Sequence, residues 1–244
     1  TGRPPVRDSV VIVKGTRIVA VGERGKVTIP DGVELIDVTG KTVLPGLIDA
    51  HTHFLSMGIE MIRTVDLGDT RSISEALSRV ERKLNETKKG DWVLGVGWDD
   101  SKWVEKRYIT KSDLDPLTRD SPIMLVRVCG HLITLNSKAL SVASITRDTK
   151  NPPGGLVDKG PDGEPTGILR DARHLVERFE PPVTDGMAQR GLEKACELAL
   201  SLGCTGVHEA GLDAFGMRAY LTALERGTLK VRAYLMWMAA INEA

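Results

Sequence analysis

Residues 45–53, Pro45-Gly46-Leu47-Ile48-Asp49-Ala50-His51-Thr52-His53, decide how the rest of the chain is read. The Pro-Gly pair marks a turn, and the apolar residues after it open a strand. In a strand, residues i and i+2 share a face, so His51 and His53 project side by side while Thr52 points away. Asp49 lies on the same face one step deeper, which suits packing or a hydrogen bond behind the ligands rather than ligation. Two neighbouring imidazoles can take adjacent positions on a divalent metal, zinc first, with iron, manganese or cobalt as alternatives. A catalytic ion would keep a place for water and bring its pKa to about 7, giving a hydroxide that attacks a carbonyl carbon. A bare His-x-His reads more readily as two half-buried histidines at a strand end. The flanking residues tip the balance, because Thr42-Val43-Leu44, the turn and Leu47-Ile48 deliver the pair to the C-terminal end of a strand, where α/β barrels keep their chemistry.

Upstream, Ser9–Val13 and Arg17–Gly22 are β-branched runs around a Lys14-Gly15 turn signal, a hairpin pattern. Val33–Val38 and Thr42–Ile48 read as further short strands, so residues 1–42 form a small β-domain and 43–54 the first strand with its histidines. Downstream, Ile73, Ala76, Leu77, Val80 and Leu84 recur at helical spacing among charges, predicting an amphipathic helix over 72–89. Asp91–Gly97 and Ile123–Val128 are strand candidates. Gly and Pro enforce loops or a hairpin at 151–155 and 159–167. Together, 55–180 read as an inserted mixed α/β lid. From Thr184 onward a helix to Leu202, a strand at 205–208, a helix over 213–225 and a strand at 230–237 alternate as in a parallel α/β barrel or sheet.

Thirty-three Lys plus Arg balance thirty-three Asp plus Glu in the 244 residues, so no net field draws the protein to nucleic acid or anionic lipid. A small-molecule substrate fits better. Cys129, Cys196 and Cys204 form no Cys-x-x-Cys pair, which makes a disulfide framework or a cysteine zinc site unexpected and a reducing cytoplasm the default. No apolar run approaches the ~18 residues of a membrane span. The chain opens on Thr1-Gly2-Arg3 without methionine, from which we expect that the true start lies upstream or has been removed.

Four further residues are candidates for substrate contact. His131 stands at a strand–helix junction with Asn136 and Ser137, which read as helix caps. Trp98 and Asp99 follow the Gly95-x-Gly97 strand end, where a sharp turn can present an aromatic face to a pocket; with Trp103 close behind, a place in the core is the competing reading. Gly95-x-Gly97 lacks the third glycine of a dinucleotide fingerprint. His208, before Glu209, closes a barrel-like strand at the end used for catalysis, although a lone histidine there is often only a satisfied polar group.

Residues 45–53, preceded by Gly15-Thr-Arg-Ile-Val-Ala-Val-Gly22, resemble the first-strand signature of the amidohydrolase superfamily and its β-domain. Gly95–Asp99, Leu114-Asp115, Gly130–Leu140, Gly154-Gly155 and Glu164–Leu169 are similar to the branch holding the N-substituted formamide deformylases and the YtcJ-like hydrolases. The resemblance implies an α/β fold: a partial TIM-type (β/α) barrel with an N-terminal β-sandwich-like domain, the lid at 55–180, and barrel strands two and three within 181–244. It matches His51 and His53 to the first metal-ligand pair of one or two ions, Cys204–His208 to strand two and Lys230–Trp237 to strand three. It places the other ligands and a general-base aspartate after Ala244, so that no catalytic residue is assigned within these residues. Asp171 stands where relatives often carry an acid. The implied activity is metal-dependent hydrolysis of a non-peptide carbon–nitrogen bond, with this chain an incomplete portion of the enzyme. The rival expectations are a non-catalytic binding or regulatory module that kept a truncated form of the fold, and a half-barrel that forms a homo-oligomer.

Overall fold

The β-branched runs on either side of Gly15 do fold back on each other. In the computed structural model, which describes residues 4–238, β1 (Ser9–Lys14) and β2 (Arg17–Glu23) pair antiparallel around Gly15, whose φ of +59° suits glycine. They belong to a first unit ending at Pro45, and a second unit starts at Gly46. Val33–Val38 and Thr42–Gly46, expected as strands, form none. Leu35, Ile36 and Leu44 are exposed and find no ladder partner among the described residues, and a β-branched run without a partner is no strand. Strand structure resumes at Leu47, whose N–H meets the Gly203 carbonyl at 2.8 Å.

The second unit runs β3 (Leu47–Thr52), α1 (Phe54–Arg63), β4 (Thr64–Asp66), α2 (Ile73–Glu86), β5 (Val93–Trp98), α3 (Lys111–Leu114), β6 (Ile123–Arg127), β7 (Leu132–Leu135), α4 (Ser137–Val142), β8 (Leu156–Lys159), β9 (Pro165–Arg170), α5 (His174–Glu177), α6 (Asp185–Ser201), β10 (Cys204–Leu212), α7 (Ala214–Glu225) and β11 (Arg232–Trp237). These strands make two sheets. One is all parallel, in the order β11–β10–β3. The other is six-stranded, β4–β5–β6–β7–β9–β8, parallel through β6 and antiparallel beyond it. The fold is therefore mixed α/β with parallel strands, and the three-stranded sheet is open among the described residues.

The six-stranded sheet is covered on both faces. Leu125 packs with Leu67, Val80, Trp98 and Trp103 on one side, while its neighbours Met124 and Val126 pack with Ile133, Ala139 and Leu169 on the other. That is why Ile123-Met-Leu-Val126 reads as a continuous apolar run instead of alternating. Asn136 ties the layers together from full burial: its side-chain oxygen accepts the Ile123 and Ala139 N–H groups, both at 2.9 Å, and its amide donates to the Ser121 carbonyl at 3.0 Å. Ser72 caps α2 by accepting the Glu75 N–H. The 159–167 stretch is the β8–β9 hairpin.

On the three-stranded sheet, α1, α6 and α7 build one core, with Phe54, Leu192, Ala195, Val207 and Tyr220 buried together. β10 runs on to Leu212, beyond the expected 205–208, because Glu209 still pairs with Leu235 on one side and Thr52 on the other. Contact between α1 and α6 depends on two glycines. A Cβ on Gly58 would land against the Gly191 carbonyl, so the helix backbones touch with no side chain between them. No helix among the described residues is long and apolar enough to cross a membrane. We expect Gly58→Val to force α1 away from α6 and to lower stability by about 2–3 kcal/mol, since overpacking at a backbone contact has no flexible neighbour to absorb it. The midpoint of urea denaturation measures this.

Candidate metal centre

His51 is the next-to-last residue of β3, and His53 follows at the N-cap of α1, φ −105°. Their rings stand edge to face with centroids 5.5 Å apart, and both are exposed. Asp49 does not point at a ring nitrogen; its Oδ1 accepts the backbone N–H of His51 at 3.0 Å, bracing the strand end. His53 Nδ1 lies 3.1 Å from the carbonyl oxygen of Ala210 on the adjacent strand β10. A carbonyl can only accept, so Nδ1 carries the proton and Nε2 keeps its lone pair. A ring held by one nitrogen and free at the other is the arrangement found for metal-ligating histidines. The donor chemistry therefore fits a divalent ion, although the described residues contain no group of three or more candidate ligands.

Glu209, beside Ala210, went unsingled in the sequence. It is 2% exposed, and its Oε2 accepts the Leu55 N–H at 2.8 Å and the Tyr220 hydroxyl at 2.6 Å. Burial and then the adjacent carboxylate push the Tyr220 phenol well above its ordinary range, so it stays a donor. The available signal was an acid alternating with Val207 on the helix-covered face of a strand, where an unpaired charge would not be tolerated. His208 takes the opposite face. Between the Val207–Asp49 and Glu209–Thr52 pairs it stands level with the histidine strand, half-buried, its ring 5.2 Å from that of Tyr234.

The other candidates belong to the six-stranded sheet. Trp98, expected as a possible pocket wall, is fully enclosed: it stacks on Trp103 with centroids 5.4 Å apart and donates its N–H to the Leu125 carbonyl at 3.3 Å. Its place is the core: the ladder register breaks at Gly97, φ +89°, which turns Trp98 off the face shared by Leu94 and Val96 and onto the layer packed against α2. Asp99 accepts the Ser101 hydroxyl at 2.7 Å and caps a 3-10 turn at Asp100–Lys102. The Ser101 hydroxyl is the main reason its carboxyl sits below the usual range, with Lys102 adding to the effect. Asp99 thus supports the turn that its neighbours extend from. His131 is 76% exposed and holds Asp171 through Nδ1 at 2.8 Å. Asp171 has φ +46° and returns its own N–H to the His131 carbonyl, a strained backbone that fixes the pair. A cleft of about 700 Å³ runs along β8 and β9, lined by Thr110, Lys150, Asn151, Asp158 and Thr166, and none of the candidate residues lines it.

The sequence model of the amidohydrolase family matches residues 34–242, most of the chain and both histidines. The chain belongs to the amidohydrolase family. Within it, the chain is 34% identical to YtcJ of Bacillus subtilis, over 83% of this chain and 39% of that protein. It is 32% identical to an N-substituted formamide deformylase of Arthrobacter pascens, over 90% of this chain and 42% of that one. The crystal structure of an uncharacterized metal-dependent hydrolase from Pyrococcus furiosus superposes with a TM-score of 0.65 at 25% identity, covering 93% of this chain and 45% of the other. The chain therefore spans less than half the length of these relatives. Family membership implies a divalent metal.

Beside His131, the exposed Cys129 is electrostatically distinct. Burial pushes its thiol up, but the His131 N–H, the Arg127 guanidinium and the Leu132 N–H together outweigh this and leave it below the ordinary thiol value. More thiolate is then present at a given pH. We expect iodoacetamide alkylation of Cys129 to rise at lower pH than for a free thiol, and Arg127→Ala to move that rise to higher pH. Peptide mass spectrometry against pH separates Cys129 from the buried Cys196.

Proposed function

We propose that the protein containing this chain hydrolyses a non-peptide carbon–nitrogen bond in a small amide-type substrate, with His51 and His53 holding a divalent metal. The observation that carries the reading is the Nδ1–H bond from His53 to the Ala210 carbonyl, which leaves Nε2 unprotonated next to the His51 ring. When bound, such an ion supplies Lewis acidity at the substrate carbonyl and activates water. Zinc heads the choice of one or two ions, followed by iron, manganese and cobalt, all of which accept imidazole. In this reading β3, β10 and β11 are three adjacent strands of an α/β barrel, the histidines stand at its C-terminal face, and the β1–β2 hairpin is part of a sandwich-like domain.

This chain's own residues have definite tasks in that scheme. The Ala210 carbonyl selects the tautomer of His53, and the Asp49 carboxylate holds the His51 backbone. In the lid, His131 is tied to Asp171 through Nδ1, so its Nε2 is directed outward and can hydrogen-bond a polar substrate. Two imidazoles fall short of the three protein ligands usual for catalytic zinc, so the proposal assigns the other ligands and the proton-transferring carboxylate to residues beyond those described. The three unpaired cysteines support a reducing, cytoplasmic setting.

The lack of a third ligand among the described residues favours one second reading, a metal-binding module without turnover. In natively produced protein, elemental analysis should give stoichiometric metal for the wild type and at least a tenfold loss for the His51→Ala, His53→Ala double variant. Unchanged metal in that variant overturns the assignment. Release of amine from formamide and amide substrates by the metal-loaded protein distinguishes the enzyme from the silent module.

A further inference from the structure

The first turn of α1 is capped from an unusual direction. An α-helix begins with backbone N–H groups that have no partner in the helix, and the N-cap side chain normally accepts one of them. At α1 the N-cap is His53, which makes no side-chain cap bond. Its Nδ1–H is already given to Ala210, and a histidine that bent back to cap the helix would lose its free nitrogen. The orphan N–H of Leu55 goes instead to a carboxylate from another strand, Glu209, at 2.8 Å. Glu209 is itself held at 2.6 Å by the Tyr220 hydroxyl from α7, and all three residues are buried.

Two consecutive residues of β10 thus grip the chain on either side of the His53 turn. Ala210 takes the imidazole, and Glu209 takes the helix end that follows it. A carboxylate at a helix N-terminus also meets the positive end of the helix dipole, so its charge is stabilised where it stands. We propose that Glu209 is a positioning residue for His53: by taking over the capping of α1 it frees the imidazole, and with Tyr220 it sets the angle at which Nε2 is presented to the metal. This rests on the assignment of His51 and His53 as ligands.

The test compares zinc and cobalt(II) affinity, by competition with a chromophoric chelator, in natively produced protein and its variants. Glu209→Ala should weaken binding by about tenfold or more, the usual effect of losing a group that orients a ligand, and should alter the visible spectrum of bound cobalt. Glu209→Gln keeps an oxygen that can accept the Leu55 N–H and should restore affinity to within about threefold of wild type. Leu192→Ala, a truncation in the same core, controls for lost stability and should leave affinity and spectrum unchanged. If Glu209→Ala does not fold, Tyr220→Phe is the deciding variant, with weaker binding and a shifted cobalt spectrum expected. Affinity and spectrum equal to the Leu192→Ala control, in whichever of the two variants folds, overturn the proposal. A wild type that binds no metal, or binds it without His51 and His53, instead overturns the ligand assignment beneath it.

Discussion

An imidazole has one lone pair to offer a metal, and the protein must decide which nitrogen keeps it. Here a single backbone carbonyl makes that choice. Ala210 is on β10, 157 residues from His53 in sequence, and it can act only because β10 lies directly against β3. The parallel ladder between those strands, beginning where Leu47 N–H meets the Gly203 carbonyl, is therefore the constraint on which the site depends. Shift that register by one residue and the residue of β10 facing His53 turns its carbonyl to the opposite strand edge, so the acceptor is lost, while every side chain of the shifted strand changes face.

The register in turn depends on the helix that begins at His53 and on its packing against α6. β3 is an edge strand, exposed along most of its length, and its ladder alone would hold it loosely. What fixes it is the helix it runs into. Gly58 and Gly191 let α1 and α6 meet backbone to backbone, and Phe54 and Leu55 bury their side chains in the shared core. Burying two such side chains contributes about 3–6 kcal/mol before the entropy of ordering them is counted, more than a solvent-exposed six-residue strand end supplies by itself.

The parts of this arrangement that the sequence disclosed are those governed by local periodicity. The hairpin about Gly15, the amphipathic α2 and the helix–strand alternation after Thr184 each announce themselves within a window of a dozen residues. The paired histidines were legible for the same reason, since i and i+2 suffice to bring them together. Val33–Val38 misled because its composition is that of a strand, whereas strand formation needs a partner that composition cannot supply. Trp98 was ambiguous because a sharp Gly97 turn, φ +89°, can aim an aromatic ring either way, and only the stack with Trp103 decides it. Glu209 was hidden for a deeper reason: its partners are the N–H of Leu55 and the hydroxyl of Tyr220, and neither contact leaves a pattern around residue 209.

The two sheets also differ in how their faces are covered. The six-stranded sheet has apolar layers on both sides and buries Asn136 with its oxygen and its amide nitrogen both bonded. It joins the three-stranded sheet where α1 passes into β4 and where 180–184 leads into α6. At both crossings Arg63 is the clasp, donating to the Pro181 carbonyl at 2.7 Å and to the nearly buried Glu180 carboxylate at 3.4 Å. Arg173 grips the same carboxylate at 3.0 Å. A guanidinium with its planar fork of donors can hold both chain passages at once, which a lysine ammonium at that position would do less rigidly. The body carrying His131 is thereby tied to the C-terminal end of the helix that starts at His53.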